Sequence, residues 1–441
     1  MPAYVGIDWS ESYQDWAAVD HEGTKIEGGR FLETPDGFDD FEARIRALAD
    51  PETGTLPTIA IETEKGLTVA NLRRRGYAVY AINPLKVSNY RTRKATSRGK
   101  SDKGDAMMIA NIVRTDPDDH RALPNITPSG HAMTVLSRAH QDEIWRVTSI
   151  AAEMRSVLRT YYPTALEVYP TKTLVSDEAR TVLRALPTPT AAAAKRAAGW
   201  KTLLRDSGRV KYIDRDAARR IESFRAPTLR VDPVEEAALG ARLQALITTL
   251  DGAVTAQRTI EEQMMNAVRQ HHYYPLLQPI VGIGDTIAAR LLGEIGDDPY
   301  RFDNKNSIRS YAGTAPITRA SGKSMVVNRR RVKNNRLNNA MYMWAFSAAR
   351  FSPGAKMHYG VRREQGERHA AALRNLGNRL IGCLWHCMTT GEVWDEHRVW
   401  GHRYTLPPAM PLTVDLDSEE MRLETTLEGF DAAMEAAAET A

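Results

Sequence analysis

The order of short apolar runs and amphipathic stretches over residues 1 to about 120 constrains the fold more than any other feature of the chain. "AYVGID" is a short apolar strand. "DWAAVDHEG" and "TKIEGGRFLE" read as the next two strands of a meander that turns at Glu22 and Gly23. "TPDGFDDFEARIRALAD" has a Thr or Asp start signal, then Phe38, Phe41, Ile45 and Leu48 at helical spacing. "TIAIET" is a buried-type strand, "GLTVANLRRRG" a helix closed by Gly76, and "YAVYAINP" a strand stopped by Pro84. A basic loop, "KVSNYRTRKATSRGKSDKGD", leads into a helix from Asp102. Three strands, helix, strand, helix, strand, helix predict an α/β layer, an antiparallel meander followed by a parallel part, over residues 1–125.

Beyond it the period changes. Residues 129–161 carry Met133, Leu136, His140, Ile144, Val147, Ile150, Met154 and Val157 at three- and four-residue steps, which predicts one long helix. A second run, 233–270, carries Leu243, Leu246, Leu250, Val254, Ile260 and Met264. Two long helices with an apolar seam form an antiparallel hairpin, an intermolecular coiled coil or part of an ordinary bundle. Residues 126–272 are therefore read as a helical, coiled-coil-like linker region. Residues 273–400 are read as a mainly helical domain, with 334–351 and 366–390 helical. There "LLQPIVGIGDTIAARLLGEIGD" reads as helix, turn, helix. Its "GIG" is either a helix-hairpin-helix turn whose N–H groups hold a phosphate or a plain tight connection. "RSYAGTAPITRASGKSMVVNRRRVKNNR" is loop-like or short-stranded, and residues 401–441 form a peripheral tail with an acidic helix. The fold class is α/β plus α.

Composition excludes several function classes. A chain of 441 residues with 42% hydrophobic and 26% charged residues has the make-up of a globular protein with more than one core. Its net charge of +4 confines any nucleic-acid surface to a local patch. Cys383 and Cys387, four apart in an apolar helical run, give no disulfide framework and fit a reducing cytoplasm. "GCLWHCM" offers at most three ligands with His386 on one helix face, too few to close a zinc site. His271 and His272 read as a surface pair at a helix end. No apolar run reaches membrane-spanning length, and the N-terminus starts with a strand rather than a signal peptide.

Four carboxylates carry the chemistry. Asp8 lies at the end of the first strand and Glu62 at the end of "IAIETEKG", with Glu64 as the alternative. Asp102 and Asp105 are three apart on one helical face. A first-turn preference for Asp, with Ser101 as N-cap, explains that pair locally. If the two strands pair and the helix packs on them, all four converge. Unit charges 4 Å apart repel by about 4 kcal/mol at an effective dielectric of 20, so the set calls for divalent cations. All-oxygen ligation favours Mg²⁺, with Mn²⁺ also suitable, and paired ions of this kind serve phosphoryl transfer. With a meander in front, the constellation points to a ribonuclease H-like nuclease fold.

Two basic stretches accompany it. Lys86, Arg91, Arg93, Lys94, Arg98 and Lys100 cluster before Asp102. "TRASGKSMVVNRRRVKNNR" holds Arg319, Lys323, Arg329, Arg330, Arg331, Lys333 and Arg336 without an acid, which is either a phosphate-tracking surface or a solvated loop.

The order "GIDWS", "IAIETEKG", "YAVYAINP", "SDKGDAMMIA" resembles the RuvC-like DEDD domain of transposases of the insertion sequence 110 family. "PIVGIGDTIAARLLGEIGD", "RFDNKNSIRSYAGTAPITRASGK" and the basic run after them resemble that family's second conserved domain. The chain departs from the common pattern at "GTAP", where Gly-Leu-(Ala/Val)-Pro is usual, and at "RVKNNRLNNAMYMWA", where Gly-Asn-X-X-Leu-Arg is frequent. The resemblance implies Asp8, Glu62, Asp102 and Asp105 as the metal-holding acids and Ser321, before Gly322, as the nucleophile. It further implies a structured non-coding bridge RNA that pairs with donor and target DNA, and dimers that assemble into a tetramer. The function it implies is an RNA-guided DNA recombinase working through a covalent serine–DNA intermediate with Mg²⁺. The alternatives are a metal-dependent hydrolytic nuclease or Holliday-junction resolvase of the same fold, and a non-catalytic RNA- or DNA-binding protein.

Overall fold

Alternation of inward and outward side chains in the first strands builds a five-stranded sheet with two covered faces. The computed structural model describes residues 3–94, 102–322 and 324–405, and these form two compact units, up to Asn125 and from Ile126 onward. In the first unit β1 (Tyr4–Trp9), β2 (Tyr13–Val19) and β3 (Lys25–Leu32) form the antiparallel meander. The helix α1 (Pro35–Arg46) follows, capped by Thr34, whose side chain accepts the Gly37 N–H, and buries Phe38, Phe41 and Ile45. Then come β4 (Thr58–Ile61), α2 (Leu67–Arg74) and β5 (Val79–Ala81). The strand order is β3-β2-β1-β4-β5, with β4 parallel to both β1 and β5.

The faces separate cleanly. Val5, Ile7, Ile59 and Ile61 share a core with Phe38, Phe41, Val69 and Leu72 of α1 and α2. Ala60 lies on the other face, in a core with Val87, Tyr90, Ile109, Ile112 and Val113. These belong to α3 (Pro84–Lys94) and α4 (Asp102–Thr115). The first half of the basic segment is therefore helical, not a loop. Pro84 stops β5 but also occupies the first helical turn, where its missing N–H costs nothing. Asn83 accepts the Leu85 N–H at 2.8 Å, and Val87 and Tyr90, one turn apart, pin the helix down.

In the second unit the two long runs are helices, α5 (Pro128–Tyr161) and, after five short helices, α11 (Pro233–Gln270). The short ones are α6 (Pro163–Val168), α7 (Asp177–Ala185), α8 (Pro189–Ala194), α9 (Ala197–Asp206) and α10 (Ile213–Arg225). Ile150 and Val157 of α5 pack in one core with Leu243, Ile247 and Leu250 of α11, whereas Met133 packs in another with Met264 and Val268. The two helices therefore run antiparallel, and their seam closes within one chain. Arg242 of α11 also donates to Glu153 of α5 at 3.0 Å.

The second core continues through α12 (Tyr274–Leu277), α13 (Asp285–Ile295) and α14 (Lys305–Tyr311). Next come a hairpin of β6 (Ile317–Ser321) and β7 (Ser324–Asn328), then α15 (Asn335–Phe351), α16 (Pro353–Glu364), α17 (His369–Thr390) and α18 (Glu396–Trp400). Trp344 and Trp400 are fully buried in it. In the "GIG" turn Gly282 has φ 87°, and a Cβ there would come within 2.7 Å of the Ala348 amide nitrogen. The Ile283 N–H already bonds the Ile280 carbonyl at 3.1 Å. The tail beyond residue 405, where the sequence pattern predicts an acidic helix, lies outside the described residues.

Candidate active site

Register brings the first two carboxylates level. β1 and β4 pair Gly6 with Ala60 and Ile7 with Ile61, so Asp8 and Glu62 come next on neighbouring parallel strands. With Ile7 and Ile61 committed to the α1/α2 face, alternation puts Asp8 and Glu62 on the α4 side. Both are half-buried, while Glu64, two residues further on, is exposed.

The helix α4, which carries Asp102 and Asp105, is seated on β1 by a glycine. A Cβ at Gly6 would overlap the Ala106 carbonyl oxygen and the Ala110 amide nitrogen, so only glycine lets the α4 backbone lie directly on the strand. Asp105 directly precedes Ala106, whose carbonyl oxygen abuts Gly6. Asp105 is buried, and its Oδ1 lies 2.5 Å from Nη2 of Arg91 on α3. Asp102 is the first residue of α4; its side chain lies outside the described set.

A fifth acid, Asp15, was not singled out from the sequence. It pairs with Asp8 across β1 and β2 and is almost fully buried. Arg30, its partner on β3, grips it with both prongs, at 3.2 and 2.7 Å, and lies over the Tyr13 ring at 3.6 Å. Asp15 sits in a strand read as such from sequence, so its cross-strand partner was the available signal. Asp8 and Glu62 stand level as carboxylates on neighbouring chain segments, and Asp105 Oδ1 is a buried oxygen with no hydrogen-bond partner among the described residues. Both features fit a hard divalent cation.

Ser321 is the last residue of β6, paired with Ser324 across a turn in which Gly322 takes φ 57°. Its backbone therefore stands at the tip of the hairpin; its side chain lies outside the described set. Arg319, Arg329 and Arg331 are exposed, and with Arg330, Ile317, Asn328 and Val332 they line one hollow at the hairpin base. Lys333 adjoins them. Burial first, then the neighbouring Arg329 and Arg374 guanidiniums, push its ammonium below the ordinary lysine range. Arg374 comes from α17, far away in sequence, and nothing local could have flagged it. Arg336 is turned inward instead. It donates to Asp142 at 2.7 Å and to the Arg138 carbonyl at 3.2 Å, and covers the Trp145 ring. Of the first basic stretch, Arg91 is engaged with Asp105, and Lys86 donates to the Asp119 carbonyl at 3.3 Å. Arg98, Lys100 and Lys323 lie outside the described residues, as do the side chains of Arg93 and Lys94.

A second cluster lies at the end of α11. His271 is buried rather than a surface residue, because it packs toward Asp297 at the far end of α13; only His272 is exposed. Ligand atoms of His271, His272 and Asp297 lie within 4.8 Å of one another, a set compatible with divalent-metal coordination. Asp297 also accepts the N–H of Thr127 at 2.9 Å and the Thr127 hydroxyl, which ties down the start of α5. Imidazole donors suit zinc-like ions rather than Mg²⁺. The Tyr273 N–H donates to His271 Nδ1 at 3.2 Å, which puts the ring proton on Nε2, facing Asp297 Oδ2 at 3.7 Å. An ion at Nε2 would have to move that proton.

Two family profiles match the chain. One, a transposase of the DEDD insertion sequence 110 type, covers residues 5–163 and so spans the carboxylate set; the other, "Transposase IS116/IS110/IS902 family", covers residues 274–360 and so spans the hairpin. The "Mini-circle putative transposase for IS117" of Streptomyces coelicolor is 42% identical over 402 residues, 91% of this chain and 97% of that protein. The chain belongs to the IS116/IS110/IS902 transposase family. Similarity to this transposase extends at 24% identity to the IS900 "uncharacterized 42 kDa protein" of Mycobacterium paratuberculosis, over 89% of this chain and 97% of that one. The IS110 "uncharacterized 43.6 kDa protein" of Streptomyces coelicolor is 25% identical over 80% of this transposase and 88% of its own length. Among the described residues no helix is long and apolar enough to cross a membrane.

Proposed function

We propose that this transposase is an RNA-guided DNA recombinase that cuts and rejoins strands through a covalent serine–DNA intermediate. Residues 1–125 are its ribonuclease H/RuvC-like domain; the 3-2-1-4-5 strand order with a parallel second half supports this. Residues 126–272 are the helical linker, 273–400 the serine-bearing domain with its helix-hairpin-helix-like turn, and 401–441 a peripheral tail. Asp8, Glu62, Asp102 and Asp105 would hold Mg²⁺ or Mn²⁺. A divalent cation there offsets their mutual repulsion and the charge that builds on the transferring phosphate.

The observation that carries the serine reading is the position of Ser321 at the tip of an exposed hairpin whose base is lined by arginines. The arginines hold the DNA backbone by ion pairs to phosphate. The Ser321 hydroxyl loses its proton as its Oγ bonds the phosphorus, and the bond to the 3′-oxygen breaks, giving a 5′-phosphoserine and a free 3′-hydroxyl. Attack by the 3′-hydroxyl of another strand reverses the step and frees the serine. No bond energy is lost, so rejoining needs no nucleotide cofactor. Exchange between two duplexes requires several subunits, for which dimers pairing into a tetramer suffice. A structured bridge RNA selects donor and target, and the basic stretch from Lys86 to Lys100 is its contact region. Two free cysteines fit work in the cytoplasm.

The deciding experiment compares wild type with Ser321→Ala on end-labelled DNA in a denaturing gel. Wild type should give a slow-migrating, protease-sensitive adduct when rejoining is blocked. The alanine variant should bind nucleic acid normally, unfold at the same temperature, and yield neither adduct nor nick. Nicking by the variant at the wild-type rate would replace this reading with a hydrolytic nuclease.

A further inference from the structure

Two buried carboxylates among the described residues are held by two-pronged arginines. Arg30 grips Asp15 at 3.2 and 2.7 Å, and Arg138 grips Glu294 at 2.7 and 2.8 Å. Such forks fix geometry as well as charge. Arg91 and Asp105 differ. One nitrogen, Nη2, touches Oδ1 at 2.5 Å, and the contact is ionic without being a hydrogen bond. Asp105 Oδ1 has no hydrogen-bond donor and Arg91 Nε has no acceptor, although both are buried. A guanidinium seated this way supplies charge and little else.

That charge sits on one of the two carboxylate oxygens open to a divalent ion. Asp105 lies on α4, and Arg91 reaches it from α3, the neighbouring helix on the same sheet face. A divalent ion binds carboxylate oxygens directly, so it competes with Nη2 for Oδ1. Nor is Arg91 fully enclosed: its side chain is 26% exposed, so it has somewhere to go. A free guanidinium there offers a planar fork suited to a phosphate.

We infer that Arg91 is a built-in counter-cation of the carboxylate set, which holds Asp105 until a divalent ion takes that oxygen, and is then released toward the substrate phosphate. The inference rests on the metal reading proposed above. Arg91 competes with the ion for Asp105, and it keeps the acidic cluster from repelling itself apart before the ion arrives. It is a positioning residue for the metal set, and its signature is a metal affinity that rises when it is removed.

The experiment titrates full-length protein with Mn²⁺ alone, counting free ion by electron paramagnetic resonance and checking by calorimetry. Arg91→Ala should bind Mn²⁺ about tenfold more tightly than wild type, the scale of losing one charge–charge contact near a protein surface. Arg91→Lys, which keeps the cation, should stay near wild type. Should the alanine variant fail to fold, Arg91→Gln keeps the stem, loses the charge and gives the same readout. Asp105→Asn separates the two levels of the argument. If it loses Mn²⁺ binding while Arg91→Ala binds no better than wild type, the counter-cation role is overturned and the metal site stands. If Asp105→Asn binds Mn²⁺ as wild type does, the metal site itself falls and takes this inference with it.

Discussion

Replacing Gly6 with alanine tests the geometry that assembles the carboxylates. Gly6 does not have a positive φ, so alanine meets no backbone strain, and the stiffer unfolded chain should stabilise by about 0.4–1 kcal/mol. Opposing this, the added methyl overlaps the Ala106 carbonyl oxygen and the Ala110 amide nitrogen and lies 3.1 Å from the Ala106 carbonyl carbon. All three are backbone atoms of α4, which cannot rotate out of the way. The helix must withdraw by on the order of 1 Å, and overpacking of this kind costs about 1–3 kcal/mol. The net loss is about 1–2 kcal/mol, a fall of roughly 5–10 °C in the melting of the first unit. Because Asp105 precedes Ala106, its carboxylate moves with the helix, and a displacement of about 1 Å at a reacting centre costs around a hundredfold in rate. Circular dichroism melts and DNA strand cleavage measure the two effects. Gly252→Ala is the internal control: Gly252 lies inside α11 with nothing within 4 Å of its would-be Cβ. There the same substitution should stabilise by about 0.5–1 kcal/mol. A Gly6→Ala variant that melts and cleaves like wild type would show that α4 is not seated on β1 in this way.

Two further outcomes follow from buried charge. His140 on α5 is buried with neither ring nitrogen hydrogen-bonded, and burial first, then Arg290, pushes its imidazole down to about 4. The unfolded chain, with an ordinary imidazole near 6.5, takes the proton first, so stability falls as pH drops from about 6.5 to 4, by about 2–3 kcal/mol in all. Urea midpoints at pH 7, 5.5 and 4.5 should therefore drop more steeply for wild type than for His140→Leu, and parallel curves would contradict the assignment. Arg138 of α5 holds Glu294 of α13, which is 2% exposed and has Asn334 as its other donor, at 2.7 Å. Arg138→Ala leaves that carboxylate buried and should destabilise by about 3–5 kcal/mol, whereas Arg138→Met with Glu294→Met should recover most of the loss. Equal denaturation midpoints for wild type and the single variant would refute this.

Much of the fold was legible because it rests on period. The meander, α1, α5 and α11 each repeat apolar residues at the spacing their own geometry demands, and each forms where the pattern places it. What the sequence hid lacks such repetition. Among its described side chains the helix α3 buries only Val87 and Tyr90, set among basic residues, and Pro84 signals a strand end and a helix start equally well. For α16 the signal is a Ser352 cap followed by Pro353, easily read as a break between longer helices. The burial of His271 has no local trace at all, since it comes from Asp297 across the fold.

The carboxylate residues and the serine hairpin leave different marks in the sequence for the same reason. Asp8 and Glu62 are legible because they end buried strands, and once those strands pair in parallel the backbone register leaves the carboxylates one arrangement. Gly6 then dictates how closely α4 may lie, and with it where Asp105 falls. Every step there is packing, and packing writes a pattern into sequence. The hairpin is the opposite case. Arg319, Met325, Val326 and Val327 all lie exposed, so neither of its faces is selected for burial and no alternation can report it. A lone serine at such a tip is constrained by what it reacts with and not by what it packs against. Its position can be read from a resemblance between whole motifs, but its role is decided only by chemistry, in the presence or absence of a protein–DNA bond.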